Sequence, residues 1–271
     1  MNIAAVICVR DDHQYLEGCL SHLIRNGVSY AIIDNGLSDE SLELLARPHI
    51  RKNLVAFARL PFTGVSDLER RLEMKEQVIG GLGADWIIHL DADEVMESYR
   101  EGESLADAIA RIDSEGWNVV NFEEYVFLPV DQPYRPGPEP QPLCCYYPFA
   151  LTGAPRLMRA RKKSAALSML SPPGVSVGAG HLLFGPEVKI APEWFALRHY
   201  IVRDQDHAYA KYTTRTFAPA ALAKGWHSNR VGFPAQAFTF PAAGALRRLP
   251  HPLSRAFDRS EPKTTHYWQW A

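Results

Sequence analysis

Apolar runs alternate with helix-like segments over about the first 125 residues, and this alternation is the feature that most constrains the fold. The run over residues 3–9 is apolar throughout, as in a strand covered on both faces. We therefore predict an α/β fold with a mostly parallel, Rossmann-like sheet flanked by helices. The predicted strands are residues 3–9, 30–33, 54–58, 86–90 and 119–127. The predicted helices cover residues 15–24, 39–46, 66–82 and 105–112.

An acidic cluster, Asp91-Ala92-Asp93-Glu94, follows the predicted strand 86–90 directly. Ligands of open α/β sheets bind beyond the carboxyl ends of strands. Side chains at i and i+2 of an extended segment point to one side, so Asp91 and Asp93 can approach one cation together. Two carboxylates suit Mg²⁺ or Mn²⁺, which keep open positions for phosphate oxygens. The alternative is that these acids cap a following helix and are solvated.

Three segments, residues 6–12, 32–39 and 86–94, resemble the family 2 glycosyltransferases and their relatives, which have the GT-A fold. The resemblance covers about residues 1–125. It implies a nucleoside pocket lined by Val9, Arg10 and Asp34, with Asp91 and Asp93 serving the diphosphate and the metal. Asp34 could instead cap its Asp-Asn-Gly turn, and Arg10 could be a surface residue.

The second half resembles that family more weakly, through the triplet Arg198-His199-Tyr200 at the end of an apolar run. We predict a strand over 194–202 and a helix over 206–222. His199 and then His181 are candidate third metal ligands, since imidazole complements carboxylates. Arg198 is a candidate for the diphosphate. The alternative for either histidine is a buried ring hydrogen-bonded to backbone.

Inverting transfer, which the resemblance implies, requires a carboxylate to deprotonate the acceptor hydroxyl. Glu124 is the first candidate and Glu193 the second. Glu123 precedes Glu124, and only one of these neighbours can face the site because adjacent strand residues point apart. The proline-rich stretch 129–148 is predicted to be a loop that could bind the acceptor.

We expect residues 1–125 to form the nucleotide-sugar-binding half, and residues 126–271 the acceptor-side half and C-terminal extension of the same domain. The predicted function is that of a metal-dependent glycosyltransferase, using Mn²⁺ or Mg²⁺. It would transfer a sugar from a nucleotide-diphosphate sugar to a glycan, lipid-linked or small-molecule acceptor. The alternatives are a nucleotidyltransferase, or a catalytically inactive GT-A-like protein that binds glycan or nucleotide.

Composition limits the partners. A net charge of -2 over 271 residues argues against nucleic acid as a partner. No apolar run reaches the roughly 20 residues that span a bilayer, and the N-terminus lacks the pattern of a secretory signal. The four cysteines form no disulfide framework or zinc motif. We expect a cytoplasmic protein, with peripheral membrane contact left open. The basic run 156–163 could contact an anionic acceptor or a membrane surface, but a solvated strand edge explains it better.

Overall fold

In the computed structural model, residues 1–10, 12–172, 175, 180–225 and 233–270 are described, and their strands form one ten-stranded sheet. The strands are β1 (Ile3–Val9), β2 (Ser29–Asp34), β3 (Leu54–Arg59), β4 (Trp86–Leu90), β5 (Glu94–Glu97), β6 (Val119–Phe127), β7 (Cys145–Phe149), β8 (Leu157–Lys162), β9 (Phe195–His199) and β10 (Arg247–Arg248). The helices are α1 (His13–Arg25), α2 (Asp39–Ala46), α3 (Pro48–Arg51), α4 (Leu68–Gly81), α5 (Leu105–Ser114), α6 (Gln205–Thr213) and α7 (Pro219–Ala223).

The first four strands are parallel and lie in the order β3-β2-β1-β4. The chain therefore leaves β1 in one direction to reach β2 and later returns to its other side as β4. A crevice opens at the carboxyl ends of two strands where the order reverses in this way. The predicted α/β fold is confirmed, and the predicted acidic cluster lies at this crevice.

Strands from both halves of the chain share the sheet. β8 pairs antiparallel with β4, and β6 pairs with β7 and β8 antiparallel and with β9 parallel. β9 also pairs with β5, which begins at Glu94, the last residue of the acidic cluster. The cluster therefore leads into a strand and caps no following helix, so the capping alternative is wrong.

Side chains of β1 alternate between two apolar layers, which explains its unbroken apolar sequence. Ile3, Ala5, Ile7 and Val9 pack with α1 on one face, and Ala4, Val6 and Cys8 pack with α4 on the other. α4 begins at Leu68, two residues after the predicted start of this helix at residue 66. Asp67, and not Ser66, accepts the Arg70 N–H at 3.1 Å.

The C-terminal aromatic residues pack on the chain's own domain, where Tyr267 and Trp268 join Tyr212 and Phe238 in a third apolar cluster. All four cysteines are buried free thiols. Among the helices of the described residues, none is long and apolar enough to span a membrane.

Candidate active site

A cavity of about 310 Å³ lies at the carboxyl ends of β1 and β4. Both halves of the chain line it, with seven lysine and arginine side chains against five aspartate and glutamate side chains. The basic residues are Arg10, Arg71, Lys75, Arg156, Arg159, Lys211 and Arg215. The acidic residues are Asp12, Asp91, Asp93, Glu94 and Glu124. The excess of basic side chains suits an anionic ligand.

Five charged side chains form a chain of contacts across the cavity. Arg156 donates to Glu124 Oε2 at 2.5 Å, and Glu124 Oε1 lies 2.6 Å from His199 Nδ1. His199 Nε2 lies 3.6 Å from Asp93 Oδ2, which accepts a hydrogen bond from Lys211 Nζ at 2.8 Å. Asp93 and Glu124 are both buried. The structure thus brings together three predicted residues, Asp93, His199 and Glu124.

The pKa values in this chain follow from burial and from the alternation of charge. Burial alone would lower the pKa of His199, but Asp93 and Glu124 raise it to about 10. Burial alone would raise the pKa of Asp93, yet Lys211 and His199 hold it well below its usual value. Arg156 and His199 do the same to the pKa of Glu124. Both carboxylates therefore stay ionised at neutral pH.

Asp91 presents a carboxylate at the mouth of the cavity, where 49% of its side chain is exposed. Lys75 Nζ lies 3.5 Å from Asp91 Oδ1 and donates to the Leu90 carbonyl at 3.3 Å. Lys75 itself is 2% exposed, and burial lowers its pKa in spite of Asp91. A helical lysine in this position is ordinarily solvated, so its burial beside Asp91 indicates a role in the site.

Glu94, at the start of β5, is buried and links two other residues that line the cavity, Asp91 and Arg159. Its Oε2 accepts the Asp91 backbone N–H at 2.9 Å, and its Oε1 accepts from Arg159 at 2.8 Å. Burial raises the pKa of Glu94 to about 7, an effect that Arg159 partly offsets. Glu94 therefore acts on the site by fixing Asp91 and Arg159.

The residues predicted for the nucleoside divide into two groups. Arg10 lines the cavity and lies over the Phe62 ring, 4.2 Å from its centroid. Val9 is fully buried in the core, and Asp34 Oδ1 accepts the N–H groups of the following turn, both at 2.9 Å. Neither Val9 nor Asp34 lines the cavity, and the β2 end contributes Asn35 in their place.

Two other predicted residues lie outside the cavity. Arg198 points to the opposite side of β9 from His199, as strand neighbours do, and donates to Glu97 at 2.6 Å and to the carbonyls of Pro252 and Ser254. Glu193 precedes β9 at its amino end and pairs with Arg111 and Arg100, both at 2.8 Å. We therefore do not retain Arg198 or Glu193 in the site.

Several site residues were not predicted. The basic run 156–163 was expected to lie at a solvated strand edge, but Arg159 and Arg161 are 4% and 5% exposed. Their spacing of two on β8 is the signal that could have indicated one buried face. Asp12 also lines the cavity, where burial raises its pKa to about 6 despite Lys211. His89 of β4 also lines the cavity, together with the predicted His181.

The donor set of Asp93 and His199 fits a divalent cation, which would displace the Nε2 proton of His199 on binding. A metal-binding histidine ordinarily donates its second ring N–H to a carboxylate, as His199 can to Glu124. Mg²⁺ and similar ions bind with one or two carboxylates when substrate phosphates supply the other oxygens. Among the described residues, no group of three or more His, Cys, Asp or Glu side chains forms a complete metal site. A nucleotide would have to complete the coordination.

No protein-family model matches the chain, and no curated protein matches it in sequence. Solved structures similar to it include Staphylococcus aureus (S. aureus) TarS, with a TM-score of 0.45 and 12% identity over 78% of this chain. S. aureus TarS 1–349 in complex with UDP has a TM-score of 0.47 and 12% identity over 77% of this chain. Mannosyltransferase PcManGT from Pyrobaculum calidifontis, in complex with GDP-Man and Mn²⁺, has a TM-score of 0.42 and 13% identity over 90% of this chain. The matches cover 39%, 62% and 73% of those chains. At these values, function has to be inferred from the site residues of this chain.

Proposed function

We propose that the protein is a glycosyltransferase that transfers a sugar from a nucleotide-diphosphate sugar to an acceptor hydroxyl, with Mn²⁺ or Mg²⁺ as cofactor. The observation that supports this most is the contact of Asp93 with His199 Nε2. Glu124 orients the His199 ring through its other nitrogen, Nδ1. It lies in a cavity that is rich in basic side chains and placed at the sheet crevice.

Asp93 and His199 would hold the cation, with Asp91 close by at the cavity mouth. Such an ion stabilises the negative charge that develops on a departing nucleoside diphosphate. Glu124 accepts from His199 Nδ1 and thereby directs Nε2 toward Asp93. Lys211 bonds Asp93 from the other side and keeps this carboxylate ionised and in place.

The diphosphate would lie against Arg71 and Lys75, which are one turn apart on α4 and both line the cavity. Arg71 donates to the Asp67 carbonyl and to Ser66 Oγ, and no described carboxylate pairs with it. Its guanidinium can therefore give two parallel hydrogen bonds to phosphate oxygens. Lys75 adds a compact charge beside Asp91.

The nucleoside would occupy the end of the cavity at Arg10 and Asn35. The acceptor would enter at the opposite end, where Phe149 stacks on His266 at 4.1 Å between ring centroids. We propose a glycan, lipid-linked or small-molecule acceptor with a free hydroxyl. Inversion would require a base, and Glu124, held ionised by Arg156 and His199, is a weak proton acceptor. We assign Glu124 to orienting His199.

Thermal unfolding of the purified protein with nucleoside diphosphates and nucleotide sugars, each with and without Mn²⁺, tests this function. A ligand that binds the native state stabilises it by about 2.7 kcal/mol at a hundredfold excess over Kd. We expect one nucleotide family to raise the midpoint when Mn²⁺ is present. The absence of a shift with every nucleotide in Mn²⁺ would contradict the proposal. The variant Glu193→Gln, altered outside the cavity, serves as the control and should respond as the parent does.

A further inference from the structure

Three buried nitrogen atoms around one part of this cavity have no hydrogen-bond partner among the described residues. They are His89 Nδ1, His181 Nδ1 and Arg159 Nε, and all three side chains line the cavity. His89 and Arg159 are 7% and 4% exposed. Native proteins satisfy nearly all buried polar atoms, so unused hydrogen-bonding groups in a cavity indicate a ligand or bound water.

The fold brings these three side chains together. His89 follows Ile88 in β4, and Ile88 pairs with Ala160 of the antiparallel β8, so Arg159 is the neighbour of His89 in the next register position. Gly180, at a φ of 78°, packs closely against Leu72 and His89. A Cβ there would lie 2.6 Å from Leu72 Cδ2 and 3.4 Å from His89 Cε1. The residue that follows Gly180 is His181.

The chemistry of this cluster favours an anion. Arg159 Nε is a donor only, and a neutral imidazole Nδ1 can donate when it carries the ring proton. Arg159 bonds Glu94 through a terminal nitrogen, which leaves its Nε–H unused. A divalent cation would offset the charge of the diphosphate, so the excess of basic side chains in the cavity would remain for a further anionic group.

Building on the proposed function, we propose that the donor sugar carries a carboxylate, as in a nucleotide-linked hexuronic acid. Arg159, His89 and His181 bind this carboxylate. The site would then discriminate between a hexuronic acid and the parent hexose, which differ at a single carbon.

Isothermal titration of the full chain in Mn²⁺ with matched donors tests this inference. The pairs are UDP-glucose with UDP-glucuronic acid and GDP-mannose with GDP-mannuronic acid, with UDP and GDP as references. We expect the uronic acid of one pair to bind at least about tenfold more tightly than its hexose, as for charge-assisted hydrogen bonds. His181→Leu should abolish this preference.

The variant Arg159→Lys keeps a positive charge beside Glu94 and removes the Nε–H, so it should also reduce the preference. It provides a second test of the inference in case His181→Leu fails to fold. His49→Ala, an exposed change, is the matched control. Equal affinity for hexose and uronic acid in the parent protein would overturn this inference, with ordered water as the occupant, and leave the proposed function standing. Binding of no nucleotide at all would overturn both.

Discussion

Glu124 illustrates how contacts decide what one carboxylate can do. Its neighbour Glu123 points to the other side of β6 and accepts from the Tyr99 hydroxyl at 2.5 Å, so Glu124 alone of the two faces the cavity. There it is bonded to His199 and Arg156 and is held in its ionised form. These contacts make Glu124 a support for His199.

Glu124→Gln tests that role. We expect the affinity for Mn²⁺ in the presence of nucleotide to fall about 10- to 100-fold, as when an outer carboxylate of a metal-bound histidine is lost. Saturating Mn²⁺ should restore turnover. The measurement is a Mn²⁺ titration of nucleotide binding and of turnover. Unchanged Mn²⁺ affinity together with turnover lost at saturating metal would instead identify Glu124 as the base. Glu193→Gln should match the parent in both.

The sequence located the acidic cluster and His199 at the site but misjudged several basic side chains. A lysine in the middle of a predicted helix, such as Lys75, is ordinarily solvated, because lysine is rarely buried without a partner. Its partners, Asp91 and the Leu90 carbonyl, lie 16 and 15 residues away in sequence. Contacts at such separations depend on how the helix packs across the sheet, which local patterns do not report.

The element α6 carries a histidine whose protonation opposes folding. Asp204 accepts the His207 N–H at 2.7 Å and caps the helix, and His207 Nδ1 accepts the Arg203 N–H at 3.3 Å. Burial lowers the pKa of His207 from 6.5 to about 4. The native state thus favours the neutral ring, while the unfolded chain protonates it near 6.5.

We therefore expect His207 to contribute a loss of stability as pH falls from about 6.5 to about 4, because the unfolded state binds more protons in this window. The free energy of unfolding in urea, measured across that window, should fall less steeply for His207→Gln than for the parent. Parallel pH dependences for the two proteins would contradict the assignment. Partial exposure of the ring reduces the size of the effect.

Arg198 links β9 to the segment 252–254 through hydrogen bonds. It pairs with buried Glu97 and donates to the Pro252 and Ser254 carbonyls. Arg198→Met should lower the free energy of unfolding by about 3–5 kcal/mol, since it leaves a buried carboxylate with weaker compensation. The nucleotide Kd of the folded variant should stay within about twofold. A large loss of nucleotide affinity would return Arg198 to the binding site.

Sequence patterns predicted the elements of the parallel half well and those of the second half in part. Each predicted strand of the first half overlaps an observed one, and the clearest apolar runs, β1 and β4, are buried along their whole length. The predicted helix 206–222 is divided into α6 and α7, since Phe217 forms a bridge with Ser66 between them. The predicted loop 129–148 contains most of β7, whose pairing with β6 is non-local.

At the scale of the whole molecule, strands from both halves form one sheet. β8, from the second half, covers β4 on the side away from β1, and β6 pairs with β7, β8 and β9. The predicted division at residue 125 therefore lies within β6.

A chain of residues 1–125 should consequently fail to fold alone, because the outer edge of β4 and the apolar side chains of β6 would be exposed. We expect it to lack a cooperative thermal transition and to aggregate, whereas the full chain unfolds cooperatively. Calorimetry with light scattering measures both properties. A cooperative transition of the 1–125 fragment would show that this half is an independent domain.

The most direct test of the central claim is the release of nucleoside diphosphate from a nucleotide sugar by the purified chain, compared with Asp93→Asn. Asn has the size of Asp but lacks the charge that pairs with Lys211 and would bind the cation. We predict release that requires Mn²⁺ or Mg²⁺, stops with a chelator and falls at least about a hundredfold in Asp93→Asn. Nucleotide binding without release under any metal condition, or equal release by the variant, would contradict a metal-dependent glycosyltransferase built on Asp93.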